Sequence, residues 1–186
     1  MTSSFDKEKK AIAEINQRYV DAYTKCYDAA VSEIKAQLSS GQTMPHITGI
    51  ATEHQRDILR EEAQKLRAEA MVHVDKIRDH VSRTKVEAPS ESATRFITLM
   101  EMRDHVSQDD INEAAAAYGS NYSALRALNH VARQHDLAPY EHPIERTSDI
   151  VESLTKSIGR YGTDVKSDPA HVAGSMAFIN MDIENL

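Results

Sequence analysis

Residues 52–83, TEHQRDILREEAQKLRAEAMVHVDKIRDHVSR, decide the fold that the chain is expected to adopt. Apolar residues recur in this stretch at steps of three and four, which places them on one side of a helix. The members of this stripe are Leu59, Ala63, Leu66, Ala70, Val74, Ile77 and Val81. Such spacing is typical of a coiled-coil-like seam, and the alanines in it favour close approach of a partner helix. At the start of the helix, Thr52 and Gln55 suit a capping box.

Residues 4–39 carry a second apolar stripe and supply the expected partner helix. The members of this stripe are Ile12, Ile15, Tyr19, Ala22, Cys26, Ala30, Ile34 and Leu38. Gly41 suits the left-handed residue that often follows a helix. A loop of about ten residues precedes Thr52 and lets the two helices pack antiparallel as a hairpin. Neither helix is expected to be stable alone in water, because an isolated helix lacks a buried face.

The two long helices are also predicted to bind a second copy of the chain. Their apolar surface exceeds what one partner helix needs to cover, since two tyrosines lie beside the stripe of residues 4–39. The residues assigned to this contact are Tyr23, Tyr27, Leu59, Leu66, Val74 and Ile77. We therefore expect a homo-oligomer that is held together by helical faces.

The rest of the chain predicts shorter helices and no sheet. The chain has no Trp, 3 Phe, 6 Gly and 5 Pro, which argues against a β-rich fold with its many turns. The polar stretch TKVEAPSE at 84–91 is the best internal boundary. We predict an all-α fold with three parts. The parts are a long helical hairpin at 1–84, a bundle of short helices at 92–162, and a short helix with a C-terminal tail at 163–186.

Local signals mark the ends of the shorter helices. Ser107, followed by acidic residues, suits a helix N-cap, and either Ser120 or Asn121 suits the next one. Gly119 between them is expected to end a helix with a positive φ. The sequence SDP, with Asp168 at its centre, suits the start of a final helix, because proline is favoured in the first turn.

Catalytic and metal-binding motifs are absent from the sequence. His73 and His80 lie two helical turns apart, roughly 10.5 Å along the axis, too far to share a zinc ion. There is no HExxH motif, nucleophile elbow, glycine-rich phosphate loop or catalytic Cys/His signature. The single cysteine, Cys26, lies in an apolar stripe and suits a buried position. We expect no enzyme, metal or cofactor, although a site assembled from scattered residues stays an alternative.

Residues 109–135 suggest a second function, DNA binding through a helix-turn-helix. A small residue, a glycine and two anchoring leucines occur at suitable positions. Asn121, Ser123 and Arg126 would then face the base edges. Phosphate contacts need basic residues nearby, yet residues 109–136 contain two arginines against four carboxylates. The whole chain has a net charge of −7, so nucleic acid is not the expected partner.

The sequence EAAAAYGSNYSALRALNHVARQHDL, residues 113–137, resembles a segment of helical proteins encoded among the virion genes of tailed phages and prophages of Gram-positive bacteria. The matching residues are Tyr118, Asn121, Ala124, Leu125, Arg126, Ala127 and Leu128. The run GIATEHQRDILREEAQKLRAEA, residues 49–70, resembles the long charged helical region of the same proteins. The resemblance implies a scaffolding-like protein or a minor component of the phage head, and it implies no catalytic residue. Residues after Pro139 have no counterpart in it.

Together these patterns predict a non-enzymatic structural or assembly protein. Its expected partners are further copies of itself and, from the resemblance, a capsid or portal protein. The resemblance also implies that the protein acts in the host cytoplasm during assembly, or in the virion. The sequence has no run of 18 apolar residues, so no membrane span is expected. The N-terminal MTSSFDKEKK has no apolar segment that would suggest a signal peptide.

Overall fold

The computed structural model describes residues 5–163 and 165–186, and the regular structure within these ranges is entirely α-helical. The helices are α1 (Asp6–Gln37), α2 (Glu53–Val86), α3 (Glu91–Glu101), α4 (Gln108–Tyr118), α5 (Tyr122–Gln134), α6 (Pro143–Ile158) and α7 (Pro169–Glu184). The predicted all-α fold is therefore confirmed. Residue 4, where the first predicted helix begins, lies outside the described residues. None of the described helices combines the length and the apolar character that a membrane span requires.

The described residues form two compact units. The first unit is drawn from Met1–Ile77 together with Ile150–Leu186, and the second from Arg78–Asp149. This division differs from the predicted one, because residues 163–186 form no separate tail. Instead α7 packs closely on α1 and buries its own Ile179 and Ile183. Burial of these apolar side chains joins the two ends of the described chain in one unit.

In the first unit, polar side chains of α1 and α2 bond to each other. Arg18 donates to both carboxylate oxygens of Glu69 at 2.8 and 2.9 Å, and Gln55 donates to Glu33 at 2.5 Å. The contacts run in opposite order along the two helices, as expected for an antiparallel pair. The bond from Gln55 lowers the pKa of Glu33. The predicted capping box is wrong in this respect, because the Gln55 amide donates to a carboxylate on α1.

The connection between α1 and α2 also contacts the connection between α6 and α7. The backbone N–H of Ile50 donates to the carbonyl oxygen of Val165 at 2.9 Å. Gly49, with a φ of +76°, lies so close to this turn that an added Cβ would stand 2.5 Å from the carbonyl carbon of Lys166. Gly162 has a φ of +77°, and its N–H donates to the Tyr19 hydroxyl at 2.8 Å. Glycine is required at both turns because other residues disfavour such φ values.

The second unit packs α3 and α4 against α5. Its core contains Ala93, Ile97, Met100, Val106, Ile111, Ala114, Ala124, Leu128, Val131 and Ala132. Ser107 caps α4 in a capping box with Asp110, and the Asn121 side chain caps α5. Both N-cap predictions are thereby confirmed. The prediction for Gly119 is wrong, because its φ is −67° and its N–H continues the helical bonding to Ala115 at 2.8 Å.

Candidate functional site

Five of the six residues assigned to self-association lie inside the chain. Tyr23, Leu59, Leu66, Val74 and Ile77 are all fully buried. Tyr27 is half-buried, and its hydroxyl donates to the carbonyl oxygen of Ile47 at 3.3 Å. The expectation that these side chains form an exposed contact surface is therefore corrected.

The reason for this burial is that residues after 150 pack on the long helices. The Tyr23 hydroxyl donates to the carbonyl oxygen of Ser167 at 2.6 Å. The Arg67 side chain of α2 donates to the carbonyl oxygen of Gly159 at 3.2 Å. Contacts of this kind leave little of the apolar stripes free for a second chain.

A different surface of the first unit is apolar and exposed, on α7. The buried face of this helix carries Val172, Met176, Ile179 and Ile183. Its opposite side, which we term the outer face of α7, consists of Ala170, Ala173, Gly174, Ala177, Phe178 and Met181, all exposed. Phe178 is 72% and Met181 57% exposed. Residues 169–181 contain no Asp, Glu, Lys or Arg, and a helix that is apolar on all sides is normally buried.

Charged residues occur at both ends of α7. Lys166 lies just before the helix and is exposed, as is His171 in the first turn. Asp168 caps the helix by accepting from the N–H of His171 at 2.8 Å. Glu184, exposed at the C-terminal end, follows the outer face by three residues. The outer face is thus an uncharged strip with a basic residue before one end and an acid at the other.

A buried polar cluster lies beneath α7 in the same unit. Tyr161 donates through its hydroxyl to Oδ1 of Asn16, and Nδ2 of Asn16 donates to Oδ1 of Asn180 at 2.6 Å. Tyr161 also stacks on Tyr19 with ring centroids 4.4 Å apart. Burial raises the pKa of Tyr161, so its hydroxyl stays protonated. The cluster is thereby a set of satisfied neutral groups, which sequence spacing does not reveal because its members are distant in the chain.

The second unit contains an open groove of about 990 Å³ along α5. One wall is α5 itself, with Tyr122, Ser123, Arg126, Asn129, His130 and Arg133. The other wall is the segment around Pro139–Glu141 with Glu145. Asn129 fixes that segment, since its side chain donates to the carbonyl oxygen of Tyr140 at 2.7 Å and accepts from the Tyr140 N–H at 2.8 Å.

The three residues assigned to DNA contact are placed differently by the structure. Ser123 and Arg126 line the groove on α5. Asn121 does not, because its Oδ1 caps α5 and its Nδ2 donates to the carbonyl oxygen of Ala88 at 3.2 Å. Its assignment to a base contact is corrected for this reason. Residues 119–121 do connect α4 to α5 as a short turn, but the segment around Tyr140 lies along one side of α5.

Metal binding and thiol chemistry would each need particular side chains among the described residues. No group of three or more His, Cys, Asp or Glu side chains there is arranged to hold a metal ion. Cys26 is buried, as its sequence position indicates, and burial raises the pKa of its thiol. A raised pKa disfavours the thiolate, which is the nucleophilic form.

Comparison of the chain with family models, with curated proteins and with solved structures gives no match.

Proposed function

We propose that this chain is a non-enzymatic assembly protein that associates with further copies of itself through the outer face of α7. The observation that carries the proposal is the exposure of Phe178 and Met181 on a helix without charge over residues 169–181. Burying one such side chain is worth roughly 1.5–3 kcal/mol. Two helices that cover each other's outer faces would bury four of them.

The outer face suits a second copy of the same helix in antiparallel orientation. Phe178 of each copy would then lie over Gly174 of the other, where a Cβ would meet nothing within 4 Å. A large side chain opposite a glycine allows two helices to pack closely. The antiparallel arrangement also brings Glu184 of each copy towards Lys166 of the other, and it opposes the helix dipoles favourably.

The setting in phage head assembly rests on the resemblance of residues 49–70 and 113–137 to phage virion proteins. Capsid and portal partners belong to the same proposal, as do the host cytoplasm and the virion as places of action. Capsid and portal genes beside the gene of this protein would support the setting. Their absence from its neighbourhood would count against it.

DNA binding through residues 109–135 is the second candidate. It is favoured by the exposed arginines of α5, Arg126 and Arg133. It is disfavoured by the engagement of Asn121 as a helix cap and by the acidic residues Glu141 and Glu145 beside α5. Association through α7 is therefore the function that the geometry supports best.

Sedimentation velocity across a wide range of concentrations tests the association. We expect the unmodified chain to shift from monomer to dimer as its concentration rises. Met181→Glu should hold it as a monomer, because a carboxylate would have to lose its water within the contact. The matched control is Val72→Glu on α2, whose side chain is 55% exposed, and this variant should still dimerise.

Two results would overturn the proposal. One is an unmodified chain that stays monomeric at the highest concentration. The other is dimerisation that persists in Met181→Glu while that variant retains its helical circular dichroism. If Val72→Glu alone abolishes the dimer, the association lies on α2 and the assignment to α7 is wrong.

A further inference from the structure

The groove along α5 has two arginines on one wall. Arg126 and Arg133 are seven positions apart, so they lie on one side of the helix, and both are exposed. Neither guanidinium forms an ion pair with a described carboxylate. Arg126 lies 5.9 Å from the ring centroid of Tyr122, in the range of a cation–π contact. Two guanidinium groups are therefore available to an anionic ligand.

The wall opposite these arginines is held in place and is acidic. The Tyr140 hydroxyl donates to Oδ1 of Asn112 at 2.5 Å, and the Tyr122 hydroxyl donates to Glu145 at 3.2 Å. Burial raises the pKa of Tyr122, which keeps this hydroxyl a donor. Glu141 and Glu145 are the acidic residues of this wall that line the groove. A preformed groove of this kind lowers the entropy cost of binding.

We propose that this groove binds an extended acidic peptide segment of a partner protein. The guanidinium-bearing residues are seven positions apart, which corresponds to roughly 10.5 Å along the helix axis. In an extended chain of polyproline II geometry, which has three residues per turn, residues three positions apart lie on the same side and are separated by about 9 Å. Two carboxylates at that spacing would meet Arg126 and Arg133 together. The N–H groups of the peptide backbone would be the donors for Glu141 and Glu145.

The volume and the charge pattern favour a peptide over other anions. A groove of about 990 Å³ is at the upper end of the sizes typical of small-molecule sites. A nucleic acid strand carries a charge at every phosphate, so it would also bring phosphates against Glu101, Glu141 and Glu145. A peptide can place uncharged residues at those positions. This inference concerns the second unit alone and does not depend on association through α7.

Fluorescence anisotropy with synthetic probes tests the proposal. The main probe is a fluorescein-labelled decapeptide of glycine and serine with two glutamates three positions apart. One comparison peptide has glutamine in both positions, a second has adjacent glutamates, and a third probe is an oligothymidine of ten nucleotides. We expect the first peptide to bind at least about tenfold more tightly than the others, because charge-assisted bonds to guanidinium groups are the strong ones.

Variants of the protein then locate the binding. Arg126→Gln and Arg133→Gln should each lower the affinity for the first peptide by at least about tenfold, because each removes one guanidinium group. Tyr122 and Asn129 still shape the groove in both variants. The matched control is Arg95→Gln on α3, an exposed arginine paired with Glu91 at 3.1 Å, and this variant should bind as the unmodified chain does.

Three outcomes would overturn the proposal. They are a failure of the unmodified chain to bind the first peptide, equal binding of the glutamine peptide, and binding that neither arginine variant weakens. Tighter binding of oligothymidine, weakened by Arg126→Gln, would overturn it as well and make the groove a nucleic-acid site. Circular dichroism of every variant shows whether the helices are intact.

Discussion

Asn16 illustrates how single residues carry specificity inside this fold. It is fully buried on α1, and both groups of its side-chain amide are engaged, by Tyr161 and by Asn180. A buried polar group that loses its partner costs the free energy of its desolvation. The cluster therefore fixes which surface of α7 faces α1, since a rotated α7 would leave Nδ2 of Asn16 without its acceptor.

Tyr161→Phe tests this role at the residue scale. Removing the hydroxyl leaves Oδ1 of Asn16 without its donor, so we expect the free energy of unfolding to fall by about 1–3 kcal/mol. Urea unfolding monitored by circular dichroism measures it. The control is Tyr140→Phe. The Tyr140 hydroxyl is exposed, so water can take its place, and the free energy of unfolding should fall by well under half as much. Equal losses in the two variants would show that the Asn16 cluster has no special weight.

The same tyrosine predicts a dependence of stability on pH. Burial raises the pKa of folded Tyr161 above the ordinary value of 10.0. The folded state then holds this proton more tightly than the unfolded state. Its contribution is complete below pH 10 and is lost as the pH rises above that value. The decline above pH 10 should be shallower in Tyr161→Phe, which urea unfolding at a series of pH values would detect.

Gly49 is the residue whose substitution should be least tolerated among the loop glycines with positive φ. Gly49→Ala adds the strain of a left-handed residue, about 1–2 kcal/mol. It also drives a Cβ into the backbone of Lys166, which costs a further 1–3 kcal/mol or so. Gly41→Ala is the matched control, because Gly41 has a φ of +92° but nothing within 4 Å. Chemical denaturation measures the loss of stability in each variant, and the difference between the two losses is the steric contribution at Gly49. Similar losses would argue against such a contribution.

At the scale of helices, local signals predicted much of what the structure contains. The caps Ser107, Asn121 and Asp168 bond to N–H groups three residues ahead, and such bonds depend on nearby sequence alone. Gly119 was predicted wrongly, because a glycine after a helix does not by itself determine φ. The position suits glycine for a different reason, since a Cβ there would collide with the carbonyl oxygen of Ala115.

Gly174 in α7 provides a prediction for a whole element. It lies in the helix interior, exposed, with space for a Cβ. Gly174→Ala should raise the stability of the monomer by about 1 kcal/mol, because alanine has the higher helix propensity. Thermal unfolding at a concentration low enough to keep the chain monomeric measures this gain. An unchanged or lower midpoint there would show that α7 needs its glycine for the fold itself.

Bulkier substitution at this position separates the fold from association. In the proposed dimer, Phe178 of the partner copy occupies the space over Gly174. Gly174→Leu should therefore leave the monomer folded and weaken dimerisation in sedimentation. A dimer of unchanged strength would contradict the antiparallel arrangement.

At the scale of the whole molecule, the sequence predicted the helices but not how they pack on one another. The apolar periodicity of α1 and α2 indicated buried stripes, and all seven members of the α2 stripe and five of the eight members of the other are buried. It could not indicate that residues after 150 contribute to covering them, because the relevant contacts join residues more than 140 positions apart. The same distance hid the Asn16 cluster. As a result, the surface assigned to self-association was placed in what is the core.

The groove on α5 was partly accessible to sequence reasoning. Ser123 and Arg126 were assigned to a possible DNA contact on that helix, and both line the groove. The opposite wall was not foreseen, because it depends on the side chain of Asn129 holding Tyr140 eleven residues away. A loop position fixed by two side-chain bonds leaves no periodic signal in the sequence.

Along the sequence, the residues of the first unit lie both before and after those of the second. This order has a consequence during synthesis. Residues 78–149 leave the ribosome before residues 150–186, so α3, α4 and α5 can pack while α7 is still being made. Until then α1 has no α7 to bury Asn16 or to accept the Tyr23 hydroxyl at Ser167. The nascent chain therefore presents an apolar and partly polar helix surface for the time needed to translate the second unit and the residues after it up to the end of α7. That interval is when a chaperone would be expected to bind it.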